Sequence, residues 1–378
     1  MLASAENNIK KSEILELQGK VNESKNLLKQ TLKATTDTFG ETHPDVYKVL
    51  SNLAVHYAKQ GKYYDAEPLF VKALEIGRKT LGEENPETCN ALCNLANLYS
   101  YWQKYEDAEL LHKKALEIRT KIYGEFHSDV ASSLNNLAIL YENQEKYEEA
   151  GALYRKALKI WGVADSKKLL FVALAKNNLA NIYLKEGKYD EAEKLYIEAI
   201  QINEKKSIRE NPEYTALLNN IAYLYFKKGD LEKAKGILKD LIEIYKKNKG
   251  LDNINYAIAL DNLGEIYESK NNYLKSGIYY KKSLTVYLKI KDFNHPDVII
   301  SLVNKLSNIY LLQNKKKDLM TLLSKTNDFI SKYLTPEHKI LNFIKDLMEK
   351  IPNSNNIARN TLAIHNILFI FTAFYYYF

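Results

Sequence analysis

One recurrence constrains this chain more than any other feature. The tripeptide Asn-Leu-Ala begins at Asn52, Asn94, Asn136 and Asn178 and continues as Asn220-Ile-Ala and Asn262-Leu-Gly, each step being 42 residues. A second signal keeps the same beat: Gly61-Lys-Tyr-Tyr-Asp-Ala-Glu returns in similar form from Gln103, Glu145 and Gly187. A third, His43-Pro-Asp-Val, returns in similar form at Asn85, His127, Asn211 and His295, so His43 and His295 stand six periods apart without slippage. Self-similarity of this length marks a stack of like units, because one such unit is too small to bury its own apolar face.

Each period reads as two helices. The first is predicted over 45–60. His43 or Asn85 caps it, Pro44 or Pro86 takes the first helical position, and an acid follows against the positive helix end. Leu50, Leu53, Ala54 and Tyr57 then fall at helical spacing, and Gly61 ends the run. The second is predicted over 64–80, with Ala66, Phe70, Ala73 and Leu74 on one face and Leu81-Gly82 closing it. Ala54, Ala66, Ala73 and their equivalents sit where two helices cross closely, and large residues such as Leu53, Tyr57 and Phe70 fill the space between them. The series Tyr57, Tyr99, Tyr141, Tyr183, Tyr225 and Tyr267 occupies a packing position and is expected in the core.

The alternation Leu-Ala-x-x-Tyr, then Ala, aromatic and Ala, resembles the tetratricopeptide repeat. The 42-residue form, with His-Pro-Asp-Val, Asn-Asn-Leu-Ala and Gly-Lys-Tyr-x-Glu-Ala-Glu, is similar to the kinesin light chain repeat. The resemblance implies an all-α fold, a right-handed superhelical solenoid of antiparallel helix pairs. It places the solenoid over 43–335, with six repeats from 43, 85, 127, 169, 211 and 253 and a degenerate one from 295. Residues 1–42 read as a degenerate first copy or cap, 336–350 as a capping helix, and 351–378 as a linker and apolar tail. Three departures stand out: Lys176 replaces the Leu of the other copies, the turn over 162–170 lacks its usual breaker, and after His295 the register slips by one, to Lys305-Leu-Ser-Asn-Ile-Tyr.

Composition narrows the function. The two cysteines, Cys89 and Cys93, are four apart on one predicted helix, and no further ligands are grouped with them. They read as reduced packing thiols, consistent with a reducing, cytoplasmic setting, and no metal or cofactor is expected. The N-terminus has no apolar signal core. The net charge of +7 is uneven: residues 1–200 carry 27 basic and 29 acidic side chains, residues 201–350 carry 26 and 18. A basic half attracts acidic partners or is simply a solvated surface. No phosphate loop, zinc motif or nucleophile elbow appears. His43, His127 and His295 recur with the turn as caps, and His56 and His112 have no nucleophile or carboxylate in register, so an enzyme is not expected.

In repeats of this type the first helices line the concave face. The candidate groove residues are Asn52, Asn94, Asn136, Asn178, Asn220 and Asn262. Beside them stand Asn135, Asn177 and Asn219 one residue earlier, and Asn97 and Asn181 three residues later. An amide offers one acceptor and two donors, so such rows suit the backbone of an extended peptide or, equally, ties between adjacent helices. The resemblance implies the former, since kinesin light chains hold cargo peptides with groove asparagines. Lys59, Lys185 and Lys227, with Lys48, are candidate groove cations for acidic side chains of a peptide. The slots that clamp a terminal carboxylate in chaperone-binding relatives carry Ser51, Ser132 and Asn136, which cannot form that clamp.

The expectation is therefore a non-catalytic scaffold or adaptor that binds partner proteins or peptides, acidic ones included, in the concave groove. The alternatives are a structural subunit of a larger complex and a tail-anchored receptor on an organelle membrane. Thr361–Phe378 is apolar but broken by His365, Asn366 and Thr372, and falls short of the roughly 20 residues a span needs. It reads as an anchor, a packed last helix or a gene-model artefact. The N-terminus is too short for the heptad coiled coil with which kinesin light chains grip the heavy chain, so that partner is not expected. Nor is nucleic acid.

Overall fold

The described residues of the computed structural model are 2–17, 20–163, 169–205, 212–247, 253–290 and 296–331, with 345 and 348. Among them are sixteen α-helices and no strand. They fall into two compact units, Met1–Ser207 and Ile208–Phe378.

The first unit holds five helix pairs: α1 (Leu2–Leu17) with α2 (Val21–Phe39), α3 (Pro44–Lys59) with α4 (Tyr63–Thr80), α5 (Pro86–Tyr101) with α6 (Tyr105–Tyr123), α7 (Ser128–Asn143) with α8 (Tyr147–Val163), and α9 (Leu169–Lys185) with α10 (Tyr189–Lys205). The second holds α11 (Pro212–Lys227) with α12 (Leu231–Lys247), α13 (Ile254–Ser269) with α14 (Tyr273–Tyr287), and α15 (Pro296–Leu312) with α16 (Lys316–Ile330). Residues 1–42, read from the sequence as a degenerate first copy or cap, carry α1 and α2. The capping helix over 336–350, the tail over 351–378, His295 and the centre of the irregular turn lie outside the described residues. No helix among the described residues is long and apolar enough to cross a membrane.

The caps form as the sequence implies. His43 Nδ1 accepts the Asp45 N–H at 3.2 Å, Asn85 Oδ1 accepts the Glu87 N–H at 2.9 Å, and His127 Nδ1 accepts the Asp129 N–H at 3.2 Å. The His43 ring also stacks on Phe39, and that of His127 on Tyr123. From α3–α4 onward, each turn between the two helices of a pair has one residue in the left-handed region, such as Gly61 at φ 69°, Gly187 at 75° and Gly229 at 83°. Gln103 at 61°, Glu145 at 60° and Asn271 at 55° hold the same conformation without a glycine.

Close helix crossing explains the alanines. Ala54, Ala66 and Ala73, with their equivalents through Ala180, Ala192 and Ala199, have no exposed surface. Phe70, His112, Tyr154, Tyr196, Leu238 and Tyr280 take one shared slot of the second helix and are fully buried. The Tyr57 series, by contrast, is only half-buried except at Tyr225. Its rings lie at the rim, where the turn lysines Lys104, Lys146 and Lys188 stand over Tyr99, Tyr141 and Tyr183 at 5.2, 5.4 and 5.6 Å. The Tyr141 hydroxyl donates to Glu109 on the preceding second helix at 2.9 Å. A phenol with a polar end settles at an edge where that end finds a partner.

In both units first helices touch first helices. α1 meets α3, α3 meets α5, α5 meets α7 and α7 meets α9; in the second unit α11 meets α13. Successive second helices make no comparable contact. Helices that converge on one side and spread on the other put the first helices on the inner wall of each unit.

Candidate functional site

The inner wall of each unit carries its predicted amides, sorted by depth. Asn52, Asn94, Asn97, Asn136, Asn177, Asn178, Asn181, Asn220 and Asn262 are half-buried, each keeping part of its surface open. Asn135 and Asn219 are sunk between helices, 6% and 3% exposed. Asn219 donates Nδ2–H to the Asn255 carbonyl at 2.8 Å, tying α11 to α13, so this amide links helices. Asn52 donates to its own helix at Lys48 O, 2.9 Å away, and Asn177 donates to Asn178 Oδ1 at 3.2 Å.

The predicted cations are engaged to different degrees. Lys59 forms a 2.8 Å ion pair with Glu16 on α1, so its charge is met within the chain. Lys227 stands over the Tyr223 ring at 5.2 Å. Lys185 donates to the Tyr147 hydroxyl at 3.4 Å and reaches Glu142 only at 3.9 Å. Lys176, the residue that breaks the Leu pattern, pairs with Glu198 on the adjoining second helix, which explains a lysine at a packing slot.

Three wall features were not legible in the repeat pattern. Arg119, near the end of α6, is 8% exposed and bridges α5 and α7. Its guanidinium donates to Asn90 Oδ1 at 2.6 Å, Ser133 Oγ at 2.8 Å and the Asp129 carbonyl at 3.3 Å, all neutral acceptors. No carboxylate among the described residues pairs with it. In register, its slot carries Gly77, Trp161 and Asn203, and that departure was the available signal. Glu142 on α7 is the second; burial pushes its carboxyl above the ordinary range. The third is the row of second-helix tyrosines whose hydroxyls reach the wall: Tyr154 donates to Glu142 at 3.1 Å, Tyr196 to Asn181 at 2.5 Å and Tyr280 to Glu268 at 2.5 Å. These tyrosines hold their wall partners in place from behind.

Cys89 and Cys93 are buried and free, and burial pushes both thiols up, so they are poor nucleophiles. Among the described residues no group of His, Cys, Asp and Glu could hold a metal ion. His56, which has no carboxylate in register, is paired with Glu16, 40 residues away on α1.

Tetratricopeptide repeat models match residues 45–121, 103–162, 171–247 and 213–289, and a second such model matches 12–45. The chain belongs to the tetratricopeptide repeat family. No curated protein matches it. Among solved structures, the apo form of RapI is similar with a TM-score of 0.56 at 18% identity, over 76% of this chain and 99% of RapI. The apo quorum sensor NprR from B. thuringiensis is similar with a TM-score of 0.55 at 16% identity, over 92% and 87%. Kinesin light chain repeats from Podosopora anserina are similar at 24% identity with a TM-score of 0.46, over 55% and 98%. At these identities the likeness concerns the fold. The tetratricopeptide chain is a repeat scaffold of the type that mediates protein–protein interaction.

Proposed function

We propose that this tetratricopeptide scaffold is an adaptor whose inner wall holds an extended, acidic peptide segment of a partner protein, in the manner of a kinesin light chain. The half-exposed amides Asn94, Asn97, Asn136, Asn178 and Asn181 meet the peptide backbone in the first unit, and Asn220 and Asn262 line the corresponding wall of the second. The observation that carries this reading is Arg119. A guanidinium stripped of most of its water and given only neutral acceptors keeps much of its attraction for an anion. Asn90, which supplies one of those acceptors, is itself exposed and yields its place readily to a carboxylate. Arg–carboxylate pairs are bidentate and about twice as strong as neutral hydrogen bonds.

The test is affinity capture with the full chain followed by mass spectrometry. One variant combines Asn94→Ala, Asn136→Ala and Asn178→Ala; another is Arg119→Gln. Loss of the same partners from both, with melting temperature unchanged in the first, supports the inner wall. Retention of all partners by both variants would move the interaction to the outer face or the ends and favour a structural subunit.

A further inference from the structure

We infer that the exposed face of α14 docks onto an anionic lipid bilayer, its lysines meeting the headgroups and two aliphatic side chains entering the acyl boundary. This face belongs to a second helix, away from the inner wall, and its role does not depend on a peptide being held there.

The charge of α14 sets it apart. Alone among the second helices α2, α4 and onward to α16, it has no Asp or Glu. The second helices from α4 to α12 carry Asp65, Glu106, Glu148, Asp190 and Glu232 in their first turns, where an acid suits the positive helix end. In that place α14 has Leu274 and Lys275. A cation in the first turn opposes the helix dipole, so helix stability does not account for it. A local rule broken without compensation is the mark of a functional surface.

The exposed residues form a single face. At about 100° per residue, Leu274, Ile278 and Thr285 line up along α14, with Lys281 on one flank and Lys275 and Lys282 on the other. Leu274 is 63% exposed and Ile278 46%. The three lysines are exposed, as is Lys289 just past the helix end. The Thr285 hydroxyl donates to the Lys281 carbonyl at 2.7 Å, so the central line offers no free donor. Lys275 and Lys282 stand over the rings of Tyr267 and Tyr279 at 5.3 and 5.6 Å, and those two rings stack on each other at 5.4 Å. A ring face orients an ammonium without neutralising it. No carboxylate among the described residues pairs with Lys275, Lys281, Lys282 or Lys289. On α12, Glu232 is already taken by Lys235 and Lys270, and Glu243 by Lys246.

The chemistry of the face selects its occupant. α14 contains no arginine. Lysine is a point charge suited to a diffuse anionic field, whereas bidentate recognition of a single carboxylate or phosphate calls for arginine. The central line holds no aromatic ring on which a nucleobase could stack. Exposed Leu274 and Ile278 gain nothing from a soluble polyanion, but they gain from an acyl boundary beneath anionic headgroups.

The experiment is flotation of the full chain with phosphatidylcholine vesicles, either neutral or with about a third phosphatidylserine. Wild type is expected on the anionic vesicles alone, with affinity falling as salt rises. Lys281→Gln with Lys282→Gln should weaken binding roughly 25-fold, about fivefold for each lysine. Lys281→Arg with Lys282→Arg should keep it. Leu274→Ser with Ile278→Ser should weaken binding about tenfold and leave the salt dependence unchanged. All four positions are exposed, so melting temperatures should match wild type. Poly-glutamate and oligothymidylate serve as soluble polyanion probes. Binding to either one that Leu274→Ser with Ile278→Ser leaves intact, without vesicle binding, assigns the face to a soluble polyanion and overturns the bilayer. Vesicle binding that the glutamine pair or the serine pair leaves unaltered, or no vesicle binding at all, also overturns it.

Discussion

His56 on α3 stands with Nδ1 2.7 Å from Glu16 Oε1 on α1. The contact is the inner end of a relay. Lys62 donates to Gln60 Oε1, Gln60 Nε2 lies 2.6 Å from His56 Nε2, and Lys59 pairs with the other oxygen of Glu16. With Gln60 donating, the His56 proton sits on Nδ1 and points at Glu16. The relay locks the degenerate first helix pair onto the regular repeats.

The Glu16 lock predicts an acid-sensitive N-terminal end. The His56 hydrogen bond, opposed by burial and assisted by Lys59, holds Glu16 at about 2 against an ordinary 4.5. Between those values the unfolded chain binds a proton that the folded chain refuses. The stabilisation is therefore complete above about pH 4.5 and is lost as pH falls toward 2. Discounted for solvent screening, it amounts to about 1–2 kcal/mol. Glu16→Gln is expected to lower stability by that amount at pH 7 and to flatten the acid limb, measured by urea unfolding across pH.

A second acid-linked loss belongs to His112. Burial first, and then the Arg119 charge, hold it at about 4, below the ordinary 6.5, so it is folded as a neutral ring. Its Nδ1 is buried without a partner. As pH falls from 6.5 to 4 the unfolded chain takes up a proton and the folded chain does not, so stability drops by about 3 kcal/mol over that window. His112→Phe, which restores the residue found at Phe70, should remove this slope and melt no lower than wild type at pH 7.5. Thermal melts at four or five pH values check it.

Gly264 predicts a substitution of unexpected sign. It takes the slot of Ala54, Ala96, Ala138 and Ala180, and helix propensity alone favours Gly→Ala by about 1 kcal/mol. A Cβ there would lie 2.4 Å from Tyr280 Cε1 and 2.5 Å from its Cδ1. Gly264→Ala must displace a fully buried ring, and a net loss of about 1–3 kcal/mol is expected. Differential scanning calorimetry of the single variant decides between the two signs.

The turns predict the reverse. Gln103 and Glu145 hold φ near 60° where Gly61 and Gly187 sit in other copies. A side chain in that region is disfavoured by roughly 1–2 kcal/mol, and glycine loses part of that gain through its freer unfolded chain. Gln103→Gly and Glu145→Gly should each stabilise by about 0.5–1 kcal/mol, additively, because the two turns lie in separate repeats. Chemical denaturation of the single and double variants checks both size and additivity.

The sequence by itself determined the repeat, the pairing of helices, the caps at His43, Asn85 and His127, and the small residues at the crossings. Each of these follows from local chemistry that recurs every 42 residues: a cap needs only its own next turn, and a close crossing needs only a missing side chain. Tertiary structure alone decided which amides stay open. Asn135 and Asn136 are neighbours of one residue type, yet one is sunk between helices and the other keeps surface, because 100° of helical rotation separates them. It also decided the charges. Lys59 meets Glu16 from 43 residues away, while Arg119 finds no carboxylate and Glu142 only a distant lysine. Compensation of charge depends on distance through the stack, and a periodic pattern records which residue types recur but not which opposite charge lies across the next helix.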